Sequence, residues 1–246
     1  MPKFFVEPDK VADDIIYIDT DDVNHIRRVL RMDVGSRITI CDSCGIDYEA
    51  EINSMSDKQI ICSIIQQHKS DSEPEIEVVL YQGIPKASKM EYIIQKTTEL
   101  GINKIVPVCM SRCVSKIENN KDADKKTARW QKIAEAAAKQ SGRGIIPEIG
   151  KPIEFAQAVL ELGELDKAFA PYECEQANTI KNEIKGVKGS TKVGFIIGPE
   201  GGFAQSEISL LKETGIPCVT LGKRILRTET AGEAVLAMLM YETDQL

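Results

Sequence analysis

The chain has 246 residues, with 42% hydrophobic and 28% charged residues and a formal net charge of −7. That is the balance of a globular protein with enough apolar material for two cores. No apolar run approaches the roughly 20 residues that span a bilayer, and Met1–Asp9 lacks the apolar stretch of a secretory signal. The seven cysteines are odd in number and irregularly spaced, which argues against a disulfide framework and fits a cytoplasmic location.

The first 70 or so residues read mainly as short strands: Ile15–Ile18, Ser36–Asp42, Tyr48–Ile52 and Lys58–Ile65. Apolar and polar residues alternate along them, and their close spacing predicts a small barrel. One helix interrupts them, capped at Asp21-Asp22. Val23, Ile26, Val29 and Leu30 are expected on its apolar face, and His25, Arg27, Arg28 and Arg31 on the other. Cys41-Asp42-Ser43-Cys44 has no second cysteine pair to complete a zinc site and reads as a turn between strands. With only two histidines, a three-histidine metal site is impossible.

His68–Pro74 is polar, ends in proline and reads as the linker. Strands and helices alternate beyond it. Strands are expected at Ile76–Gln82, Ile105–Met110, Lys167–Ala170, Lys192–Ile197 and Cys218–Leu221. Helices are expected at Ser88–Leu100, Ala123–Ser141, Ile153–Leu162, Glu175–Ile184, Gln205–Thr214 and Glu229–Tyr241. Such alternation predicts an α/β fold with a mostly parallel sheet covered by helices.

Three segments carry candidate chemistry. In the first, the apolar strand Val193–Ile197 runs into Gly198-Pro199-Glu200-Gly201-Gly202, and Gln205-Ser206-Glu207 then opens a helix. Glycines at the carboxyl end of a parallel strand let a ligand approach the backbone. Neither a Walker A pattern nor a dinucleotide fingerprint is present, so the loop indicates a ligand without saying which. In the second, a strand ends at Leu221 and leads through Gly222–Arg227 into Thr228-Glu229-Thr230. Thr228 or Thr230 is placed to cap the last helix, with Glu233 completing a capping box. Taken alone, Arg227 and Glu229 read better as a surface ion pair at a helix start. In the third, Lys86 and Lys89 open a helix, where cations oppose the helix dipole; an external anion such as RNA phosphate accounts for them. Similar logic covers Lys139 and Arg143, which also suit a helix C-terminus.

The overall acidity argues against nucleic acid, but the charge is uneven. From Ile84 to Lys151 there are 14 Lys+Arg against 7 Asp+Glu, a local balance of +7 that leaves −14 for the rest. A phosphate-binding surface needs only local positive potential. A solvated helical face gives the same count and is, on charge alone, the favoured reading.

At these motifs the sequence resembles a known family. Ile93–Gly101, Arg129–Ile133, Ala136–Arg143, Ile197–Gly202 and Leu221–Ala231, with His25–Met32 near the start, are similar to the RsmE family of SPOUT methyltransferases, in the same order along the chain. The resemblance implies a PUA-like RNA-binding β-barrel over residues 1–72 and a SPOUT methyltransferase domain over 73–246. The latter closes in a C-terminal trefoil knot, an exception to the rule against threaded chains. It implies a homodimer that uses S-adenosyl-L-methionine to methylate N3 of a specific uridine in 16S rRNA of the 30S ribosomal subunit, with no membrane or DNA partner.

By the same resemblance, Ile197, Gly198, Pro199, Glu200, Gly201, Leu221, Gly222, Ile225 and Leu226 bind the cofactor. Arg227 stabilises the uridine anion and Glu229 takes its proton. Lys3, Arg27, Arg28, Arg31, Lys86, Lys89 and Arg143 contact RNA phosphate. Lys3 stands in a segment where relatives often carry arginine, and it can hold phosphate only as a point charge. The competing expectations are a SPOUT enzyme acting on another RNA position or a ribose 2′-hydroxyl, and a ribosome-assembly factor without catalysis.

Overall fold

In the computed structural model, which describes residues 3–246, the chain forms two compact units. One is Met1–Glu73 with Ala138–Ile146, and the other is Pro74–Ala137 with Pro147–Leu246.

The first unit is a six-stranded sheet: β1 (Lys3–Phe5), β2 (Val11–Ala12), β3 (Ile15–Ile18), β4 (Arg37–Cys41), β5 (Ile46–Met55) and β6 (Ile60–Lys69). The spatial order is β1-β4-β5-β6-β3-β2. Neighbours are antiparallel except the parallel pair β1–β4. The period of two along each strand places Ile16, Ile18, Ile38, Ile40, Ala50, Ile52, Ile60 and Cys62 in one core with Phe4. A short helix, α1 (Asp22–Asn24), continues as a π-helical turn over His25–Val29 and adds Val23 and Ile26 to that core. Val29 and Leu30 do not join it. They are 66% and 37% exposed, because the wider π-helical turn breaks the 3.6-residue period and Arg31 follows in the left-handed region at φ 52°. The expected linker starts later than its polar sequence suggests, since His68 and Lys69 still pair with Asp47 and Ile46 in the sheet.

Residues 138–146 complete this unit although they are distant in sequence. Ala138 and Ile146 pack with Phe5 and Cys41. The Gly144 carbonyl accepts from the Gly45 N–H at 3.1 Å and from the Cys41 thiol at 2.8 Å. A Cβ on Gly144 would lie 2.3 Å from Ser70 Cβ, so the segment can approach this closely only as glycine. All seven cysteines are free. Cys41-Cys44 is a turn between β4 and β5, as expected, and burial pushes the Cys41 and Cys62 thiols up to about 12.

The second unit is a parallel sheet with helices on both faces. Its strands are β7 (Glu77–Gly83), β8 (Lys104–Cys109), β9 (Glu148–Ile149), β10 (Ile153–Glu154), β11 (Lys167–Pro171), β12 (Lys192–Ile197) and β13 (Cys218–Val219). The order is β10-β8-β7-β12-β11-β13, with β9 also on β8. Every pairing is parallel. Val78–Tyr81 in β7 are all buried, the continuous apolar run of a strand covered on both sides. One face packs on α2 (Lys89–Glu99) and α7 (Thr228–Glu242) through Met90, Ile93, Ile94, Val235, Leu236 and Leu239. The opposite face packs on α4 (Phe155–Gly163) and α6 (Gln205–Glu213) through Ala158, Val159, Leu162, Ile208 and Leu211. The remaining helices are α5 (Ile180–Lys185) and α3 (Asn120–Ser141), of which the residues from Ala138 count with the first unit.

Three expected elements are shorter. Ile153 and Glu154 pair with β8, so α4 starts at Phe155. The helix expected from Glu175 starts only at Ile180, because the Glu175 carboxylate accepts from the N–H groups of Gln176, Ala177 and Asn178 and holds them in a turn. The strand expected over Cys218–Leu221 ends at Val219, and the chain turns out of the sheet after Thr220.

Candidate functional site

At the carboxyl ends of β11, β12 and β13, three loops surround a cleft of about 510 Å³. They are Pro171–Glu173, the glycine loop 197–203 and the loop 220–228. This is where open α/β sheets hold ligands, and the volume lies in the usual range for small-molecule sites. The sequence separates the glycine loop from the last loop, yet they line one cavity. Ile197, Gly198, Pro199, Glu200, Gly201, Leu221, Gly222, Ile225 and Leu226 all border it, together with Arg227.

The glycine loop is tightly turned. Gly202 N–H donates to the Pro199 carbonyl at 2.9 Å, and Gly202 sits at φ 64°. A Cβ on Gly198 would lie 3.2 Å from the Gly202 carbonyl carbon and 3.3 Å from its Cα, so even alanine would press the turn apart. Thr228 locks this loop to the start of α7. Its buried hydroxyl donates to the Gly198 carbonyl at 2.7 Å and accepts from Gln82 Nε2 at 2.9 Å. Gln82 is fully buried and also donates to the Gly83 carbonyl. One threonine hydroxyl thus ties β7, the end of β12 and the first residue of α7 together. The expected capping box at Thr230 and Glu233 is not formed. The helix starts at Thr228, and the capping residue, Arg227, makes no side-chain cap.

In the last loop, Leu221 and Leu226 are half-buried against the core. Ile225, expected among the cofactor-binding residues, borders the cleft but stands 83% exposed at its rim. Among the described residues no hydrogen bond within the protein engages the main-chain groups of Leu221, Ile225 or Leu226, whereas Gly222 N–H is taken by the Thr220 hydroxyl at 3.1 Å. The cleft therefore offers open donors and acceptors beside apolar side chains. Arg227 is exposed at its edge, and among the described residues its guanidinium meets no carboxylate.

Charge is organised by Lys89. Its ammonium lies 3.2 Å from Glu200 Oε1 and 3.3 Å from Glu229 Oε2. Glu200 also accepts from the Lys86 N–H at 3.1 Å. The bond to Glu200 raises the Lys89 ammonium above its usual range; burial opposes this and Glu229 adds to it. Burial pushes the Glu200 carboxyl up, but its own N–H, the Lys86 N–H and Lys89 outweigh that and hold it below the usual range. Burial also raises the Glu233 carboxyl, one helical turn beyond Glu229.

The residues expected at RNA divide into two groups. Arg28, Arg31 and Lys86 are exposed. Arg27 is half-exposed; it pairs with Asp57 and donates to the Ser56 carbonyl, and its guanidinium holds the Asp57 carboxyl below the usual range. Two expectations are overturned. Arg143 is 2% exposed, and its Nη2 donates to Glu73 Oε2 at 2.6 Å, so it is an interior ion-pair partner and not a phosphate contact. Lys3 has all three ammonium donors engaged, by Asp47 at 2.8 Å, Ser70 at 3.0 Å and the Gly142 carbonyl at 3.2 Å, with the side chain 11% exposed. It anchors the first unit internally.

Several site residues escaped the sequence reading. Gln82 follows directly on the apolar run Val78–Tyr81, and a polar residue in that position was the available signal. Pro171, Tyr172 and Glu173 follow directly on an expected strand, whose carboxyl end marks a crevice in this class of fold. Nothing in the sequence pointed to Arg112, which reaches the Gly201 carbonyl at 2.9 Å from a loop 89 residues away.

Residues 72–240 match the RNA methyltransferase domain family, and residues 18–65 match the RNA methyltransferase PUA domain family. The chain is 34% identical to Ribosomal RNA small subunit methyltransferase E of Bacillus subtilis, over 100% of this chain and 98% of that protein. It is 39% identical to the protein of the same name from Mesomycoplasma hyopneumoniae, over 68% of this chain and 71% of that one. The crystal structure of Ribosomal RNA small subunit methyltransferase E from Neisseria gonorrhoeae bound to S-adenosyl methionine superposes with a TM-score of 0.86 at 30% identity, covering 99% of this chain and 98% of that one.

Proposed function

The chain belongs to the Ribosomal RNA small subunit methyltransferase E family, and from that premise we propose that it moves a methyl group from S-adenosylmethionine to N3 of one uridine in 16S rRNA. The observation that carries this reading is the cleft in which the glycine loop and the 220–228 loop meet. Its open main-chain groups at Leu221 and Leu226 suit the hydrogen-bonding edge of adenine and the amino-acid end of the donor. Ile197, Leu221 and Leu226 supply apolar walls.

S-adenosylmethionine supplies an electrophilic methyl carbon when bound. The rest falls to this chain. Uridine N3 carries a proton at neutral pH and becomes a good nucleophile only on losing it. Glu229 accepts that proton, directly or through water, and Arg227 offsets the negative charge that spreads onto the base. The two loops would hold the donor and the base, and orientation would contribute much of the rate. Arg27, Arg28, Arg31 and Lys86 meet phosphate, and the target base is presented unstacked.

The finer points of the reading are a SPOUT-type trefoil knot over the 198–202 and 220–228 loops, a homodimer, and action on the 30S subunit in the cytoplasm. Family membership is what supports them. Among the described residues no helix is long and apolar enough to cross a membrane.

The test is methylation of purified 30S subunits with labelled donor, followed by mapping of the product. One labelled uridine, modified at N3, is expected. Label on a ribose, on another base or nowhere contradicts the proposal.

A further inference from the structure

We infer that Lys89 is a positioning residue, which sets the Glu229 carboxylate in the cleft from a fixed seat on Glu200 instead of gripping RNA phosphate. The inference rests on the reading of Glu229 as proton acceptor.

Sequence alone poses a puzzle here: two lysines, Lys86 and Lys89, open a helix whose dipole disfavours cations. The structure supplies an internal anion. Glu200, from the glycine loop, places one carboxylate against the Lys86 N–H at 3.1 Å and the Lys89 ammonium at 3.2 Å. A carboxylate before the first turn of α2 is the dipole-favoured arrangement, and it offsets the repulsion felt by Lys89. The turn between them is strained, with Ala87 at φ 50°, a region that residues bearing a Cβ rarely adopt. Such a conformation persists where surrounding contacts fix it, and Glu200 supplies one of them.

Lys89 then reaches on to Glu229 Oε2 at 3.3 Å, in the first turn of α7. One ammonium therefore links three separate elements that border the cleft. With its charge shared between two carboxylates and its side chain 34% exposed, Lys89 has little left to offer a phosphate. Glu229 is only 16% exposed and its buried Oε2 makes no hydrogen bond among the described residues, so the Lys89 ammonium, in ion-pair contact at 3.3 Å, is the charge that holds it there. A misplaced acceptor is costly, since an error of about 1 Å in a reacting group lowers turnover by roughly 100-fold.

The experiment compares Lys89→Met, Lys89→Arg, Glu229→Gln and the Lys89→Met/Glu229→Gln double variant in methyl transfer to 30S subunits, with 30S binding measured across a salt series. Lys89→Met is expected to lower kcat roughly 10- to 100-fold while KM for 30S and the salt slope of binding stay unchanged. Lys89→Arg, which can bridge both carboxylates, recovers most of the rate and shows that the site remains folded. In the double variant, Lys89→Met adds less than about threefold to the Glu229→Gln defect, as expected when two residues act as one unit. A kcat left intact with the salt slope reduced by about one would identify a phosphate contact and overturn the inference. So would full additivity in the double variant. A defective Glu229→Gln beside an unimpaired Lys89→Met overturns this inference alone; an unimpaired Glu229→Gln removes the assignment beneath it and overturns both.

Discussion

Replacing either Glu73 or Arg143 with alanine is expected to destabilise the first unit by about 3–5 kcal/mol, the cost of breaking a buried ion pair from one side. The side chains are 10% and 3% exposed. Arg143 donates through Nη2 and Nε, and the same carboxylate accepts from the main-chain N–H groups of Gly144 at 2.6 Å and Ile145 at 3.1 Å. Glu73→Ala thus takes the shared acceptor from a guanidinium and two N–H groups at once, while Arg143→Ala leaves a carboxylate that keeps two of its donors; the former is the more damaging. Against a total of about 5–15 kcal/mol for a domain, either loss is large. Amide hydrogen exchange in β4–β6 reads it directly. Replacing both residues together, with Glu73→Leu and Arg143→Met, is expected to recover much of the stability, because apolar packing then stands in place of the ion pair. Affinity for S-adenosylhomocysteine should not change, since the cleft is lined by the second unit alone. Single variants within 1 kcal/mol of wild type would refute the assignment of Arg143 as an interior structural residue.

Arg227→Ala is expected to lower kcat for methyl transfer to 30S subunits by about 100- to 1000-fold, the usual cost of removing a group aimed at developing charge. Arg227 lines the cleft from the capping position of α7, with its carbonyl accepting from the Ala231 N–H at 2.8 Å. That bond fixes its backbone whatever the side chain, so the variant tests the guanidinium and leaves the helix start intact. Binding of S-adenosylhomocysteine should change by less than about threefold, since the open main-chain groups sit on Leu221 and Leu226. Arg227→Lys keeps the charge but loses the planar fork, and should fall between alanine and wild type. Turnover by Arg227→Ala within a few-fold of wild type would show that the anion is stabilised elsewhere.

What the sequence disclosed depended on how local the signal was. Alternation in Ile38–Ile40 and Ala50–Ile52, the unbroken apolar run in β7 and the glycine cluster at 198–202 each express their structure within a few residues, and those elements lie where expected. Charge partners are not local. Lys3 meets residues 44, 67 and 139 positions away, and Arg143 meets one 70 positions away. Both therefore looked like free cations suited to phosphate. The same limit hid the membership of residues 138–146 in the first unit: Gly144 has to be glycine only because Ser70 lies against it. Glu175 misled in another way. Its pattern suited a helix, but the carboxylate captured three following N–H groups and delayed the helix to Ile180. At the cleft, the residue types were legible and their pairing was not. Nothing in Pro85–Glu91 says that the anion opposite Lys89 is Glu200.

The account depends on the glycine loop and the 220–228 loop forming one seat for the methyl donor, and calorimetric titration of S-adenosylhomocysteine into the wild type and Gly198→Ala tests this most directly. Wild type should bind one molecule per chain. Gly198→Ala should weaken binding at least tenfold, about 1.4 kcal/mol, because the added Cβ would sit 3.2 Å from the Gly202 backbone and open the turn. A wild-type protein that gives no saturable heat at several temperatures, or a variant that binds as tightly as wild type, would contradict it.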